Sequence, residues 1–284
     1  MQKDSKRAKL HHYIPQFYLK GFCDDKEKAQ LYCIDKRENK SFISNVKNVA
    51  SQTDFYKADC PSNPGVYEEV LAKAEAKYSE VLEQIKKTSS FSNNLDVLLD
   101  FIAWIYISNP KNRNIFNEAL HRVTKIQLQI YQALYDQGKL AESERSKYEE
   151  LLKHAHLLDE VQNDEYKINF TSGSHFQMAI EAQEEVYELL KLRKWLLLKA
   201  PEGNLGFITS DHPAFLAYET KNNVPLGLMH KKTQLYFPIS NKLAVVGSFE
   251  SLDTTIDATT NVTIDATEES IARYNACTIW YSNK

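Results

Sequence analysis

Residues 66–87 have the sequence VYEEVLAKAEAKYSEVLEQIKK and set the helical character of the middle of the chain. Their apolar residues recur at steps of three and four, which places them on one face of an amphipathic α-helix. These residues are Val70, Leu71, Ala74, Tyr78, Val81, Leu82 and Ile85. The pattern predicts a helix that buries this face.

Further helices are predicted after this one. Residues 95–107 are apolar on nearly every side, so we expect a central helix there. Pro110 fits the first turn of a third helix, which Gly138 ends as a C-cap. A fourth helix is predicted over about residues 141–158, and a fifth over about 174–199, which includes Trp195.

Strand patterns lie on both sides of this helical section. Residues 29–35 and 40–44 predict a hairpin, and residues 54–56 a further short strand. In the C-terminal part we expect strands at 205–209, 235–238, 243–248 and 278–282, and a helix at 263–275. The fold class predicted is therefore helix-rich α+β, with a small, mostly antiparallel sheet from the N- and C-terminal segments. We expect one integrated domain over 1–284, with N-terminal strands in 1–60, a central helical insertion at 66–200, and strands and a helix in 201–284.

Composition limits the classes of partner. The formal net charge of −3 gives the whole protein no attraction to nucleic acid or membrane, although a local basic patch is compatible with it. No apolar run approaches the roughly 20 residues that span a bilayer. The four cysteines are widely spaced, which suits reduced thiols, and we expect a cytoplasmic protein.

The densest candidate site is LHHYIPQFYLKGF at residues 10–22. The adjacent His11 and His12 point in opposite directions on a strand, so one can face a pocket while the other holds the backbone. Histidine acts as acid, base or metal ligand near neutral pH. The competing interpretation is an aromatic core segment whose histidines bond to carbonyl groups.

The second candidate segment is GFITSDHPAF at residues 206–215. A predicted strand ends at Thr209, and a polar group at the end of a strand often faces a cleft. Asp211 would orient a histidine or accept a hydrogen bond from a substrate, with Ser210 and His212 beside it. The equally weighted alternative is a turn in which Asp211 bonds its own backbone.

Acidic and basic residues suggest two further kinds of site, one for a metal or a base and one for phosphate. Glu68 and Glu75 are seven residues apart and lie on one side of their helix, where they would serve a metal or act as bases. Exposed helix carboxylates are more often only solvated. Basic residues at 3, 6, 7 and 9, and Lys111 with Arg113, suggest phosphate contacts, although charge runs are mostly surface. The chain has no glycine-rich phosphate loop and no G-x-S-x-G elbow, which disfavours nucleotide-driven and serine-hydrolase chemistry.

Residues 11–22, HHYIPQFYLKGF, closely resemble the opening of a largely bacterial family known as domain of unknown function 4238. Other elements similar to that family are residues 55–56, the acidic helix, Trp195, T-S-D-H-P at 209–213, F-P-I-S at 237–240 and Asn275. His212 replaces the usual asparagine, and S-N-P at 108–110 lacks the arginine often found before that proline, for which Arg113 would substitute. The resemblance implies that His11, His12, Asp211, Asn275, Glu68 and Glu75 recur together.

Two functions are considered beside a purely structural role, and the sequence does not decide whether the protein is an enzyme. The first is a hydrolase of phosphodiesters, such as a nuclease in a toxin or defence system, with nucleic acid as partner and a divalent metal as candidate cofactor. In it His11, His12, Asp211 and Asn275 are catalytic, Glu68 and Glu75 bind metal, and the substrate contacts come from Arg113, Ser210, His212 and Tyr13. The second is a non-catalytic ligand- or partner-binding module, in which exposed aromatic residues of the opening segment stack a ligand. The oligomeric state is left open by the sequence.

Overall fold

The computed structural model describes residues 10–25, 27–59, 63, 65–91, 93–203, 205–218, 227–249 and 262–282. The basic residues at 3, 6, 7 and 9 lie outside these ranges. The N-terminal part consists of short elements: β1 (Leu10–His12), α1 (Gln16–Leu19), β2 (Gln30–Asp35), β3 (Lys40–Asn45) and β4 (Ser51–Thr53). β1 pairs with β4, and β2 pairs with β3, both antiparallel. The predicted hairpin is therefore confirmed as β2–β3.

The helical section and the C-terminal part follow. The helices are α2 (Val66–Thr88), α3 (Leu95–Ile107), α4 (Pro110–Asp136), α5 (Glu142–Leu152), α6 (Ala155–Gln162) and α7 (Ser172–Lys191). The C-terminal elements are β5 (Lys194–Lys199), β6 (Phe215–Tyr218), β7 (Thr233–Pro238), β8 (Leu243–Ser248), β9 (Val262–Asp265) and α8 (Glu268–Tyr281). The α+β class is confirmed. None of the helices that the structure describes is both long and apolar enough to cross a membrane.

The chain forms two compact units. The first contains residues 1–109 and 172–284, and the second contains residues 110–171, which are α4 to α6 and their connections. The predicted single integrated domain stays a prediction.

The largest sheet of the first unit has five strands in the order β6-β7-β8-β5-β9. Only the pairing of β5 with β9 is parallel. The N-terminal strands lie in their own two-stranded sheets rather than in this one. One face of the five-stranded sheet packs into the main core with α1 and α3, and its other face packs against α8.

The predicted C-terminal end of the fifth helix, at about residue 199, is wrong. The helix α7 ends at Lys191, and residues 194–199 form strand β5, which pairs with β8 on one side and β9 on the other. Trp195 is in this strand, and its Nε1 donates to the Leu190 carbonyl at 3.0 Å. An apolar run of this length fits a buried strand as well as a helix, and the two neighbouring strands decide the outcome.

Other boundaries also differ from the predictions. The predicted strand at 278–282 is the end of α8, which begins after Thr267, whose Oγ1 accepts the Ser270 N–H at 3.1 Å. Residues 205–209 form no strand, and residues 54–56 form a turn in which Asp54 has a φ of 55°. The predicted fourth helix is divided into α5 and α6. The start of α8 is thus fixed by a side-chain cap rather than by periodicity.

Candidate functional site

His11 connects the opening strand to the first turn of α2. Its Nδ1 accepts the backbone N–H of Tyr56 at 2.7 Å. The proton of the ring is therefore on Nε2, which donates to Glu68 Oε1 at 2.7 Å. The His11 side chain is 5% exposed and that of Glu68 is 34% exposed. The histidine is held behind the carboxylate, and the carboxylate is the group that reaches solvent.

His12 has a different role from its neighbour. Its Nε2 donates to the Lys47 carbonyl at 3.1 Å, which ties β1 to the turn that follows β3. Burial lowers the pKa of His12, and the hydrogen bonds to backbone carbonyls partly oppose this effect. The side chain thus holds the backbone, as one of the two adjacent histidines was expected to do.

Glu75 is on the same face of α2 as Glu68, two turns further along. Seven residues of α-helix correspond to about 10 Å along the axis. Burial raises the pKa of Glu75 to about 7, so the carboxyl group holds a proton over much of the range below neutrality. The face therefore carries one carboxylate that accepts a hydrogen bond from histidine and one carboxyl group with a raised pKa.

The segment at 209–213 is a tight turn next to Tyr13. Ser210 Oγ accepts the backbone N–H of His212 at 3.1 Å, which is the bond that shapes the turn. His212 is buried, with its ring centre 6.5 Å from that of Tyr106. Burial and, to a smaller extent, the charge of Asp211 raise the pKa of Tyr13 to about 12. The structure thus brings Asp211 near Tyr13, while Ser210 and His212 serve the turn.

Asn275 holds the backbone that precedes this turn. Its Oδ1 accepts the Ile208 N–H at 3.1 Å, and its Nδ2 donates to the Gly206 carbonyl at 2.9 Å. The side-chain amide thus supplies backbone hydrogen bonds to residues 206–208, which form no strand. Its contribution in this structure is therefore to the shape of the site and not to its solvent-facing surface.

A family model described as protein of unknown function (DUF4238) matches residues 10–284. The chain belongs to this DUF4238 family. No curated protein and no solved structure matches it. The resemblance found in the sequence is thereby confirmed over nearly the whole chain.

Three motifs of the DUF4238 resemblance meet at the hydroxyl group of Tyr18. The hydroxyl donates to the Pro238 carbonyl at 2.8 Å and accepts a hydrogen bond from Thr209 Oγ1 at 2.9 Å. Close by, the Gly21 carbonyl accepts the Asn241 N–H at 3.1 Å. The opening segment, the T-S-D-H-P turn and the F-P-I-S segment are therefore fastened together inside the first unit.

The aromatic residues of the opening segment belong to the core of this DUF4238 protein. Tyr13 and Tyr18 are buried, while Phe17 and Phe22 are partly buried and pack against the same core. A stacking platform for a ligand would need exposed rings. This segment therefore offers none.

Arg113 lies in the first turn of α4, in the second unit. Within the ranges that the structure describes, no group of three or more His, Cys, Asp or Glu side chains is arranged to hold a metal ion. Glu68 and Glu75 consequently find no support there as metal ligands.

Proposed function

We propose that the protein is a hydrolase that cleaves phosphodiesters by acid–base chemistry at the face of α2 formed by Glu68 and Glu75. The observation that carries this proposal is the pair of 2.7 Å hydrogen bonds to the ring of His11. They fix the tautomer of a buried histidine and aim its N–H at a partly exposed carboxylate. Such an arrangement orients a base before substrate arrives.

Glu68 is the general base in this scheme, and Glu75 is the general acid. Glu68 takes a proton from the attacking water while the oxygen of that water bonds to phosphorus. Glu75 gives its proton to the leaving oxygen as the other phosphorus–oxygen bond breaks. Proton exchange with solvent then restores both groups. Paired carboxyl groups in different environments are a recurring basis of such chemistry.

Two basic residues at the backbone segments that hold the histidines support a phosphate-bearing substrate. Lys47 supplies the carbonyl that holds His12, and Lys57 follows Tyr56, whose N–H holds His11. Both lysine side chains are exposed, and Lys57 Nζ pairs with Asp54 Oδ2 at 3.5 Å. The charge of Lys47 would attract a polyanion such as RNA or DNA despite the negative net charge of the chain. We expect this activity in the cytoplasm.

A non-catalytic binding module is the second candidate. It is favoured by the engagement of His12 and Asn275 with backbone groups, because two of the four side chains expected to be catalytic serve the fold. In this case the site would recognise a ligand without changing it.

A cleavage assay with matched variants tests the proposal. Labelled RNA, single-stranded DNA and duplex DNA would be incubated with the native protein, with Glu68→Gln, and with Glu69→Gln as the exposed neighbouring control. The glutamine at 68 keeps an oxygen that can accept from His11 but cannot accept a proton. We expect loss of about 10²- to 10⁴-fold in rate for Glu68→Gln only.

The same assay separates the two candidates. Cleavage by the native protein in the presence of EDTA is expected, since the scheme uses side chains alone. Binding of an oligonucleotide without cleavage would favour the binding module. Equal activity of native protein and Glu68→Gln would remove Glu68 from the mechanism.

A further inference from the structure

The second unit contains a polar cavity of about 720 Å³ between α4 and the segment at 164–169. Its volume lies within the range of small-molecule sites, about 300–1,000 Å³. None of the residues that line it was singled out in the sequence. All the residues that line it belong to the second unit.

Side-chain hydrogen bonds hold the far wall of the cavity against α4. Asn117 Oδ1 accepts the Phe170 N–H at 3.0 Å, and His121 Nδ1 accepts the Ile168 N–H at 3.4 Å. Because Nδ1 is an acceptor, His121 carries its proton on Nε2, which donates to Asp164 Oδ1 at 2.8 Å. The wall is thus held by polar groups on one face of α4.

The charges in the cavity favour an anion. Arg122, Lys125 and Lys167 face two carboxylates, Glu118 and Asp164, which leaves a formal charge of +1. Lys125 Nζ is 2.9 Å from Asp164 Oδ1, so these two charges neutralise each other.

Arg122 and Lys167, by contrast, form no ion pair with any residue in the described ranges. Two cations are consequently available to a ligand, against the single carboxylate of Glu118. Arginine and lysine are the side chains that most often hold phosphate groups.

Amide side chains complete the lining. Four of them face the cavity, namely Asn114, Asn117, Gln129 and Asn169. Amides donate and accept hydrogen bonds, so they match hydroxyl groups and the edges of a base or sugar.

We propose that this cavity binds a small molecule with a phosphate monoester and a polar body, of the class of a nucleoside monophosphate. Arg122 and Lys167 hold the phosphate group, and Asn114 and Asn169 hold the polar body, while Asn117 is bonded to Phe170 and Gln129 to Gln162. Lys125, His121 and Asp164 fix the shape of the site.

Calorimetric titration of the full chain tests this assignment. The probes are AMP, inorganic phosphate and adenosine at low ionic strength. The variant Arg122→Gln/Lys167→Gln removes the two cations. The control with the same change of charge in the same unit is Lys147→Gln/Lys153→Gln, with Lys147 in α5 and Lys153 directly after it. We expect AMP to bind, adenosine to bind at least about tenfold more weakly, and the cavity variant to lose at least about tenfold in affinity for AMP.

The control variant should bind AMP like the native protein, and all three proteins should unfold at the same temperature. Absence of AMP binding by the native protein would overturn the assignment. An equal loss in both variants would also overturn it, because the effect would then be one of general charge. Glu68→Gln should retain AMP binding, so failure of the hydrolase proposal and failure of this one are distinguishable.

Discussion

The two nitrogens of the His11 ring have separate tasks. One is fixed by the backbone at Tyr56, and the other is directed at Glu68. The sequence pattern of two adjacent histidines predicted that their rings would point in opposite directions, and the two rings do contact different segments. It did not predict that Glu68 would be the partner, because the contact joins residues 57 positions apart. Periodicity predicts on which face of its own helix or strand a side chain lies, but not which residue of another segment it contacts.

A small residue beside the turn at 209–213 is required by close backbone approach. A Cβ atom added at Gly206 would lie 2.4 Å from the Asn241 carbonyl oxygen, whereas one at Gly227 would have no atom within 4 Å. We expect Gly206→Ala to lower the free energy of unfolding by about 1–3 kcal/mol, because backbone must move to admit the methyl group. Gly227→Ala should cause no loss. Urea denaturation of both variants measures this, and equal stability would contradict the described packing.

At the scale of elements, the connection from α7 to β5 shows where local pattern is insufficient. Arg193 lies between them and is buried, with Nη1 donating to the carbonyls of Thr233 at 2.8 Å and Gly247 at 3.0 Å. These bonds fix the start of β5 against β7 and β8. A charged residue followed by Trp195 and three leucines has no helical or strand signature of its own. The fold of this stretch depends on partners that are distant in sequence.

The helix α2 was the most predictable element, and it also carries the proposed chemistry. Periodicity predicted its length and the C-terminal half of its buried face, where Tyr78, Val81, Leu82 and Ile85 are buried. Val70, which was predicted to belong to this face, is 49% exposed. The raised pKa of Glu75 could not be predicted, since it results from burial by other segments. Within a helix, a carboxylate at the edge of the apolar face has the same sequence signature as one that is solvated.

The burial of Glu75 predicts a pH dependence of stability. Its pKa rises from 4.5 to about 7 on folding. Below pH 4.5 the group is protonated in both states, and its burial carries no charge penalty. As pH rises from 4.5 to 7 the unfolded state ionises first, so the free energy of unfolding falls, and above 7 the penalty is complete. Glu75→Gln lacks this effect.

Urea denaturation at pH 4, 6 and 8 measures the difference. The variant Glu75→Gln should gain stability relative to the native protein as pH rises and level off above about 7. The exposed Glu69→Gln on the same helix is the control and should show no such gain. A parallel pH profile for native protein and Glu75→Gln would contradict burial of the carboxyl group.

For the whole molecule, the α+β class followed from strand patterns on both sides of a helical section. The arrangement of the sheets could not be predicted, because pairing depends on contacts between segments that the chain brings together only on folding. The polar cavity of the second unit was also missed. Its α4 residues, such as Asn117, His121 and Lys125, recur at three- and four-residue steps, which is equally the pattern of a solvated helix face.

The hydroxyl group of Tyr18 connects parts of the first unit that are far apart in the chain. Tyr18→Phe would leave the Thr209 hydroxyl without its acceptor and the Pro238 carbonyl without its donor. We expect a loss of about 1–3 kcal/mol in the free energy of unfolding, since unsatisfied buried polar groups are costly. Tyr32→Phe is the control, because Tyr32 is 70% exposed. If thermal and urea denaturation show no difference between the two variants, the junction does not contribute as described.

The assignment of Glu68 as base and Glu75 as acid is the central claim, and dependence on the leaving group tests it most directly. An oligonucleotide has a poor leaving group that needs a proton, whereas a bis-p-nitrophenyl phosphodiester has one that does not. We predict that Glu75→Gln loses about 10²- to 10⁴-fold in rate on the oligonucleotide and less than about tenfold on the nitrophenyl ester, while Glu68→Gln loses activity on both. Equal losses for Glu75→Gln on the two substrates, or no hydrolysis of either by the native protein, would contradict the claim.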